Sequence, residues 1–237
     1  MGEEKPAVQL AGLRIVGPGY GLNGTELRTF HQPSGTTLAF LVRAPENKKI
    51  VEVDDSKCSL AAFTDDRGFN LLDGVDWDGF PEISNDGRLA LIKVTSKTRA
   101  SQDASHLFAR GTIHVRLAAA EETEKIEHLE LKVGAKADIR QEVIQVMKAQ
   151  VENEGLSLVL QVSLKFKNDI KDIRFYLADG RPVEIWGRGS FTFGNATQLE
   201  YNLDTKSTPE AVKVEIDLWQ EQEILNLPFE IESSVGF

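Results

Sequence analysis

The sequence predicts an all-β protein made of two tandem antiparallel β-sandwich domains related by internal duplication. Apolar and polar residues alternate along most of the chain, which is typical of half-buried strands. Residues 112–133 and 211–231 have nearly the same pattern, in which an acidic segment separates two alternating runs. The chain has 237 residues, and that length suits two sandwiches of about 100 residues each better than one.

The first half of the chain supplies the strands of the first predicted domain. The first strand covers Ala7–Val16, and Gly12 should interrupt it with a β-bulge. Further strands are expected over residues 36–43, 50–53, 59–63 and 89–94. Residues 112–133 then predict a hairpin with an acidic turn at residues 121–124. The polar stretch 134–142 has no periodicity and predicts a linker, so we expect independent domains over 1–135 and 140–237.

The second half repeats this arrangement in fewer residues. Strands are expected over residues 143–151, 156–166, 170–177, 183–193 and 198–203, followed by a closing hairpin over 211–231. Asp179-Gly180 is a hairpin signal between two of them, because glycine accepts the positive φ of a tight turn. We expect Trp186 and Trp219, both within strands, to pack in the core or between the domains.

The extra length of the first domain lies in its loops, chiefly in the acidic stretch 65–88. Because the second domain forms a sandwich without it, we expect this stretch to be unnecessary for the core. Loops on a rigid scaffold often carry binding sites. The sequence therefore predicts that this stretch and the adjoining connection 95–105 form a recognition face. Trp77 and Phe80 would be its apolar anchors, and Asp76 and Asp78 would set its polarity.

The same loop contains the best metal candidates, Asp73, Asp76 and Asp78. Alternating acids before Gly79 resemble the first part of a calcium loop, but the EF-hand spacing would need glycine at Asp78 and glutamate at Ser84. We therefore expect no metal and no other cofactor. Calcium binding in a sandwich loop is the alternative that the sequence leaves open.

Charge and composition limit the partners. A net charge of -10 argues against nucleic acid, which needs a clustered basic face. No apolar run approaches the roughly 20 residues that span a bilayer, so membrane insertion is not expected. Cys58 is the only cysteine, which excludes an intramolecular disulfide. The polar start lacks a signal peptide, and we expect a secreted or periplasmic protein from which it has been removed.

Catalytic motifs are missing from the sequence. The four histidines, His31, His106, His114 and His128, lack the paired spacing of zinc sites. No Gly-x-Ser-x-Gly motif is present. We therefore expect a protein that is not an enzyme, and a hydrolase domain with a carboxylate pair is the alternative.

The sequence predicts two modules of roughly 100 to 130 residues, and each ends in two alternating runs with an acidic turn between them. In this it resembles tandem bacterial immunoglobulin-like or fibronectin type III-like domains. The disulfide of antibody domains is not part of this resemblance, since Cys58 has no partner. The resemblance implies a non-catalytic binding or scaffolding role outside the cytoplasm, with a protein or a cell-envelope component as partner. The alternative is a carbohydrate-binding accessory module, in which Trp77, Tyr20 and Phe80 would form a stacking platform for a glycan.

Overall fold

The computed structural model describes residues 5–17, 34–152, 155–205 and 209–235. The strands of the first half are β1 Ala7–Val16, β2 Gly35–Arg43, β3 Lys49–Val53, β4 Ser59–Asp65, β5 Asp76–Trp77, β6 Glu82–Ile83, β7 Leu89–Ser96 and β8 His106–Glu130. The second half contains β9 Lys136–Ile139, β10 Glu142–Glu152, β11 Gly155–Ser163, β12 Ile170–Tyr176, β13 Pro182–Val183, β14 Ile185–Phe193, β15 Ala196–Leu203 and β16 Ala211–Ser234. A short α-helix, α1 Leu164–Asp169, follows β11, and a 3-10 helix covers Asp55–Lys57.

These strands form three antiparallel sheets, which confirms the all-β prediction. The first sheet has the order β1-β2-β7-β5, with β6 also pairing with β7. The second has the order β14-β15-β11-β10-β9. The third has the order β13-β12-β16-β8-β3, and β4 also pairs with β8.

The chain divides into two compact units, each with its own apolar core. Unit 1 comprises the described residues up to Ala119 together with those from Glu221 onward, and unit 2 comprises the described residues from Ala120 to Gln220. The core of unit 1 includes Leu38, Phe40, Val42, Ile92, Val94, Ile113, Val115, Leu117 and Phe229. The core of unit 2 includes Leu158, Leu160, Val162, Ile173, Phe175, Val214, Ile216 and Leu218.

These units differ from the predicted ranges 1–135 and 140–237, because two long strands contribute to both. β8 and β16 have 25 and 24 residues, and the boundaries at Ala119 and Glu221 fall inside them. The predicted hairpins were therefore wrong, since each is one continuous strand. Their acidic segments lack the glycine, asparagine or proline that a tight turn needs. Glu221 does adopt a positive φ of 50°, which is a local irregularity of an extended chain rather than a turn.

The predicted linker was also wrong, because it contains β9. Ala137 and Ile139 face the core of unit 2, while Lys136 and Asp138 are exposed. β9 pairs antiparallel with β10. The alternation of Lys136, Ala137, Asp138 and Ile139 covers four residues, which is the shortest run that indicates a strand.

The structure confirms two local predictions. β1 has a register shift between Leu10 and Gly12 in its pairing with β2. Asp179 and Gly180 lie in the tight turn that joins β12 to β13, where Gly180 has a φ of 85°.

The structure also bears on two further expectations about packing. The acidic stretch contributes to the core of unit 1, because Leu71 is fully buried and β5 and β6 both pair with β7. Trp186 is 51% exposed rather than packed. Trp219 is half-buried, with Lys171 Nζ lying 5.1 Å from its ring centroid.

Candidate functional site

A row of polar residues crosses the outer face of the first sheet in unit 1. Arg14 of β1 pairs with Thr37 of β2, and Thr37 pairs with Thr95 of β7. Thr95 in turn pairs with Asp76 of β5. Residues that pair across neighbouring strands point to the same face of a sheet. The intervening residues, such as Leu38 and Val94, are buried in the core, so this row faces outward.

The neighbouring row leaves an open space beside these side chains. It contains Gly12, Ala39 and Lys93, and the backbone N–H of Asp78 donates to the carbonyl oxygen of Lys93 at 2.8 Å. Gly12 and Ala39 have little or no side chain. A pocket of about 400 Å³ lies on this face of the sheet, and it is lined by Arg14, Thr37, Asp76, Trp77, Asp78, Lys93 and Thr95.

Hydrogen bonds hold several of these side chains in place. Arg14 Nη2 donates to Thr37 Oγ1 at 3.2 Å, and Thr37 Oγ1 lies 3.0 Å from Thr95 Oγ1. Lys93 Nζ forms an ion pair with Glu82 at 3.0 Å. Asp76 makes no side-chain hydrogen bond or ion pair within the described part of the chain, so its carboxylate can accept hydrogen bonds from a ligand.

The two predicted aromatic anchors lie in different environments. The ring of Trp77 packs on Phe40 with centroids 6.1 Å apart, and Phe40 packs on Phe229 at 4.5 Å. Trp77 is therefore a wall of the pocket that the core supports, rather than a projecting anchor. Phe80 is 87% exposed and follows in the connection between β5 and β6. Tyr20 lies outside the described residues.

The predicted metal candidates are not assembled into a cluster. Among the residues that the structure describes, no group of three or more His, Cys, Asp or Glu side chains could hold a metal ion. Asp76 and Asp78 line the pocket, whereas Asp73 is not among its lining residues.

The structure thus brings together three of the four named recognition residues with Thr95, the first residue of the predicted 95–105 part of the face, and adds three residues that were missed. Arg14, Thr37 and Lys93 are on strands distant in sequence. Their alternation with buried residues could have placed each on an outer face. The register that brings them into adjacent rows could not be derived from the sequence, since it depends on pairings between distant segments.

The described residues include no helix of a length and hydrophobicity that would cross a membrane. No protein-family model, no curated protein and no solved structure matches this chain.

Proposed function

We propose that this chain is a non-catalytic binding protein and that the outer face of the first sheet in unit 1 is its recognition surface. The observation that supports this is the cross-strand row Arg14, Thr37, Thr95 and Asp76, which borders the pocket. It presents hydrogen-bond donors and acceptors from four paired strands. Groups on paired strands keep their spacing better than groups on loops, which favours selective binding.

A glycan is the ligand class that the pocket favours, and a cell-envelope glycan fits the expected location outside the cytoplasm. Two cationic side chains, Arg14 and Lys93, balance two carboxylates, Asp76 and Asp78. This balance suits a neutral ligand with many hydroxyl groups, because each hydroxyl both donates and accepts hydrogen bonds. Close by in sequence, the exposed ring of Phe80 offers an apolar surface for the face of a sugar ring.

The test is binding of the full chain to an array of immobilised oligosaccharides, followed by titration of the best one. We expect Asp76→Asn and Arg14→Gln each to weaken binding by roughly tenfold or more, because a hydrogen bond to a charged group contributes about 1.5–3 kcal/mol. Asp138→Asn, an exposed acid on β9 in unit 2, is the matched control and should bind normally. Equal binding by all three variants would contradict the proposed surface.

The hydrolase alternative makes a different prediction in the same assay. Asp76 and Asp78 are two carboxylates in one pocket, which is the minimum that glycoside cleavage requires. A binding protein leaves the bound oligosaccharide intact over a long incubation, as judged by chromatography. Release of shorter products that Asp76→Asn abolishes would replace the binding proposal with the hydrolase.

A further inference from the structure

β14 is an edge strand of the second sheet. Its only partner within the described ranges is β15. It has nine residues, and every residue from Arg188 to Phe193 is exposed. Phe191 and Phe193 are 62% and 81% exposed. Edge strands of monomeric proteins are usually short or charged because an open edge pairs with other chains. β9, the opposite edge, follows this rule with four residues that include Lys136 and Asp138.

The residues of β14 divide into two faces with different composition. The outer face carries Gly187, Gly189, Phe191 and Phe193, which pair with outward-facing residues of β15. The other face carries Arg188, Ser190 and Thr192, which pair with the buried Tyr201, Leu199 and Thr197. Along the outer face, two glycines are therefore followed by two phenylalanines.

We propose that β14 pairs in antiparallel fashion with β14 of a second copy of this chain, with Ser190 on a twofold axis perpendicular to the sheet. In this register Gly187 faces Phe193 of the second copy, and Gly189 faces Phe191 of the second copy. The sequence order of glycines before phenylalanines is therefore self-complementary. A twofold interface requires this property, because the same residues form both sides of it.

The aromatic–glycine pairs give this register its stability. A phenyl ring beside a glycine of the neighbouring strand covers exposed backbone and fills the space of the missing side chain. Cross-strand side-chain pairs are the main source of sheet stability. The pairing also satisfies backbone N–H and C=O groups along the open edge. A twofold axis at Arg188 would instead place two arginines opposite each other, which is destabilising.

Electrostatics does not oppose the pairing at this edge, although the chain carries a net charge of -10. Arg188 is the only charged residue of β14, and it forms an ion pair with Asp172 at 2.7 Å. In the proposed register Arg188 faces the uncharged Thr192. Exposed charges farther apart than about 8 Å are largely screened at physiological ionic strength.

A dimer would also contain two copies of the unit 1 pocket. This consequence rests on the proposed function, whereas the pairing itself does not. Two linked sites bind a repetitive ligand more tightly than one site does, provided that both can be occupied together.

Sedimentation velocity of the full chain over a concentration series tests the association. We expect a monomer–dimer equilibrium that Phe191→Ser combined with Phe193→Ser shifts at least tenfold toward monomer. Phe69→Ser combined with Ile224→Ser removes two exposed apolar side chains of unit 1, 49% and 61% exposed, and should dimerise like the wild type. A wild-type chain that is still monomeric at about 1 mM, where even weak complexes form, would overturn the proposal. So would loss of the dimer in the unit 1 variant.

Disulfide trapping tests the register separately. In a Cys58→Ser background, Ser190→Cys places two cysteines opposite each other, with Cα atoms about 5 Å apart as a disulfide requires. We expect it to form a covalent dimer on mild oxidation. Thr192→Cys alone should not, since its two copies lie about 13 Å apart along the strands. Mixing Thr192→Cys with Arg188→Cys should restore the covalent dimer. Efficient trapping by Thr192→Cys alone, or none by Ser190→Cys in a protein that dimerises, would overturn the register.

Discussion

Asp65 shows that one acid of the predicted recognition loop has a structural role. Its side chain is 2% exposed at the end of β4. Oδ1 accepts from the backbone N–H groups of Arg67 and Phe69 at 3.0 and 2.9 Å, and Oδ2 accepts from that of Ser101 at 2.9 Å. Burial alone would raise the pKa of this carboxyl, but the hydrogen bonds from Ser101, Phe69 and Arg67 outweigh it and lower the pKa. Asp65 thus joins two loops of unit 1 and is not available to a ligand.

In unit 2, Asp217 and Arg174 form a charged pair on neighbouring strands. Arg174 Nη1 and Nη2 donate to Oδ2 and Oδ1 of Asp217 at 2.5 and 2.9 Å, and Thr123 Oγ1 donates to Oδ1 at 2.6 Å. The hydrogen bonds from Arg174 lower the pKa of Asp217 to about 2. Because the folded pKa lies below the unfolded value of about 3.9, the ionised carboxylate stabilises the fold above pH 4. This stabilisation is lost as the pH falls from about 4 to about 2.

Asp217→Asn should therefore destabilise the protein in a pH-dependent way. At pH 7 we expect the free energy of unfolding to fall by about 1–2 kcal/mol, a value reduced for the partial exposure of Arg174. Near pH 2 the difference should be much smaller, because about half of the Asp217 carboxyls are then protonated in the folded protein and nearly all of them in the unfolded chain. Urea denaturation at both pH values measures the two differences. An equal difference at pH 7 and pH 2 would show that the charge of Asp217 is not the cause.

At the scale of elements, alternation was a reliable predictor of strands and a poor predictor of what joins them. β1, β2 and β7 were each predicted nearly to their bounds, because inward and outward residues alternate along most of each strand. The exceptions are the bulge at Gly12 in β1 and the fully buried start of β2. The acidic segments inside β8 and β16 suggest turns only because they are polar. A turn needs particular backbone angles, which glycine, asparagine and proline favour and glutamate does not. A polar segment is therefore not by itself evidence for a turn, because a strand with both faces exposed to solvent is polar as well.

The predicted duplication stays a hypothesis. It can be judged by comparing the order of the strands in the first sheet with that in the second. The first sheet includes β1-β2-β7-β5 and the second includes β10-β11-β15-β14. In both sheets, two strands that are consecutive in sequence are neighbours, namely β1 and β2 in the first and β10 and β11 in the second. The strand that precedes the long strand, β7 before β8 and β15 before β16, lies beside the second strand of that pair. β4 pairs with β8 as β12 pairs with β16. The resemblance to immunoglobulin-like domains stays a prediction as well. In an immunoglobulin domain the strands belong to one sandwich, whereas β8 and β16 each contribute to two cores.

The acidic stretch of unit 1 gives a prediction about stability at the scale of an element. Leu71 is fully buried, and its N–H donates to the carbonyl oxygen of Phe63 at 2.8 Å. Leu71→Ala should lower the free energy of unfolding by about 2–5 kcal/mol, because it removes a buried side chain and leaves a cavity. Phe80→Ala, at a residue that is 87% exposed, is the control and should change stability little. Comparable urea midpoints for both variants would show that this stretch is dispensable for the core, as the sequence predicts.

At the scale of the whole molecule, the division into units implies that neither half of the chain carries a complete core. A fragment of residues 1–135 lacks Leu227 and Phe229, both buried in the core of unit 1. A fragment of residues 140–237 lacks Ile126, Leu129, Leu131 and Ile139, all buried in the core of unit 2. The sequence predicts that both fragments fold alone, whereas the two cores predict that neither does.

Fragments 1–135 and 140–237 should therefore each lack dispersed amide resonances when isolated, and a mixture of equal amounts should regain them. Each fragment brings the strand that the other's core is missing, so the mixture can rebuild both cores at the entropic cost of association. The matched control replaces the second fragment with residues 140–219, which lacks the part of β16 that belongs to unit 1. This mixture has no source of Leu227 and Phe229, and unit 1 should stay unfolded in it. Isolated fragments with dispersed spectra would contradict the shared-strand division, because each range would then hold a sufficient core of its own.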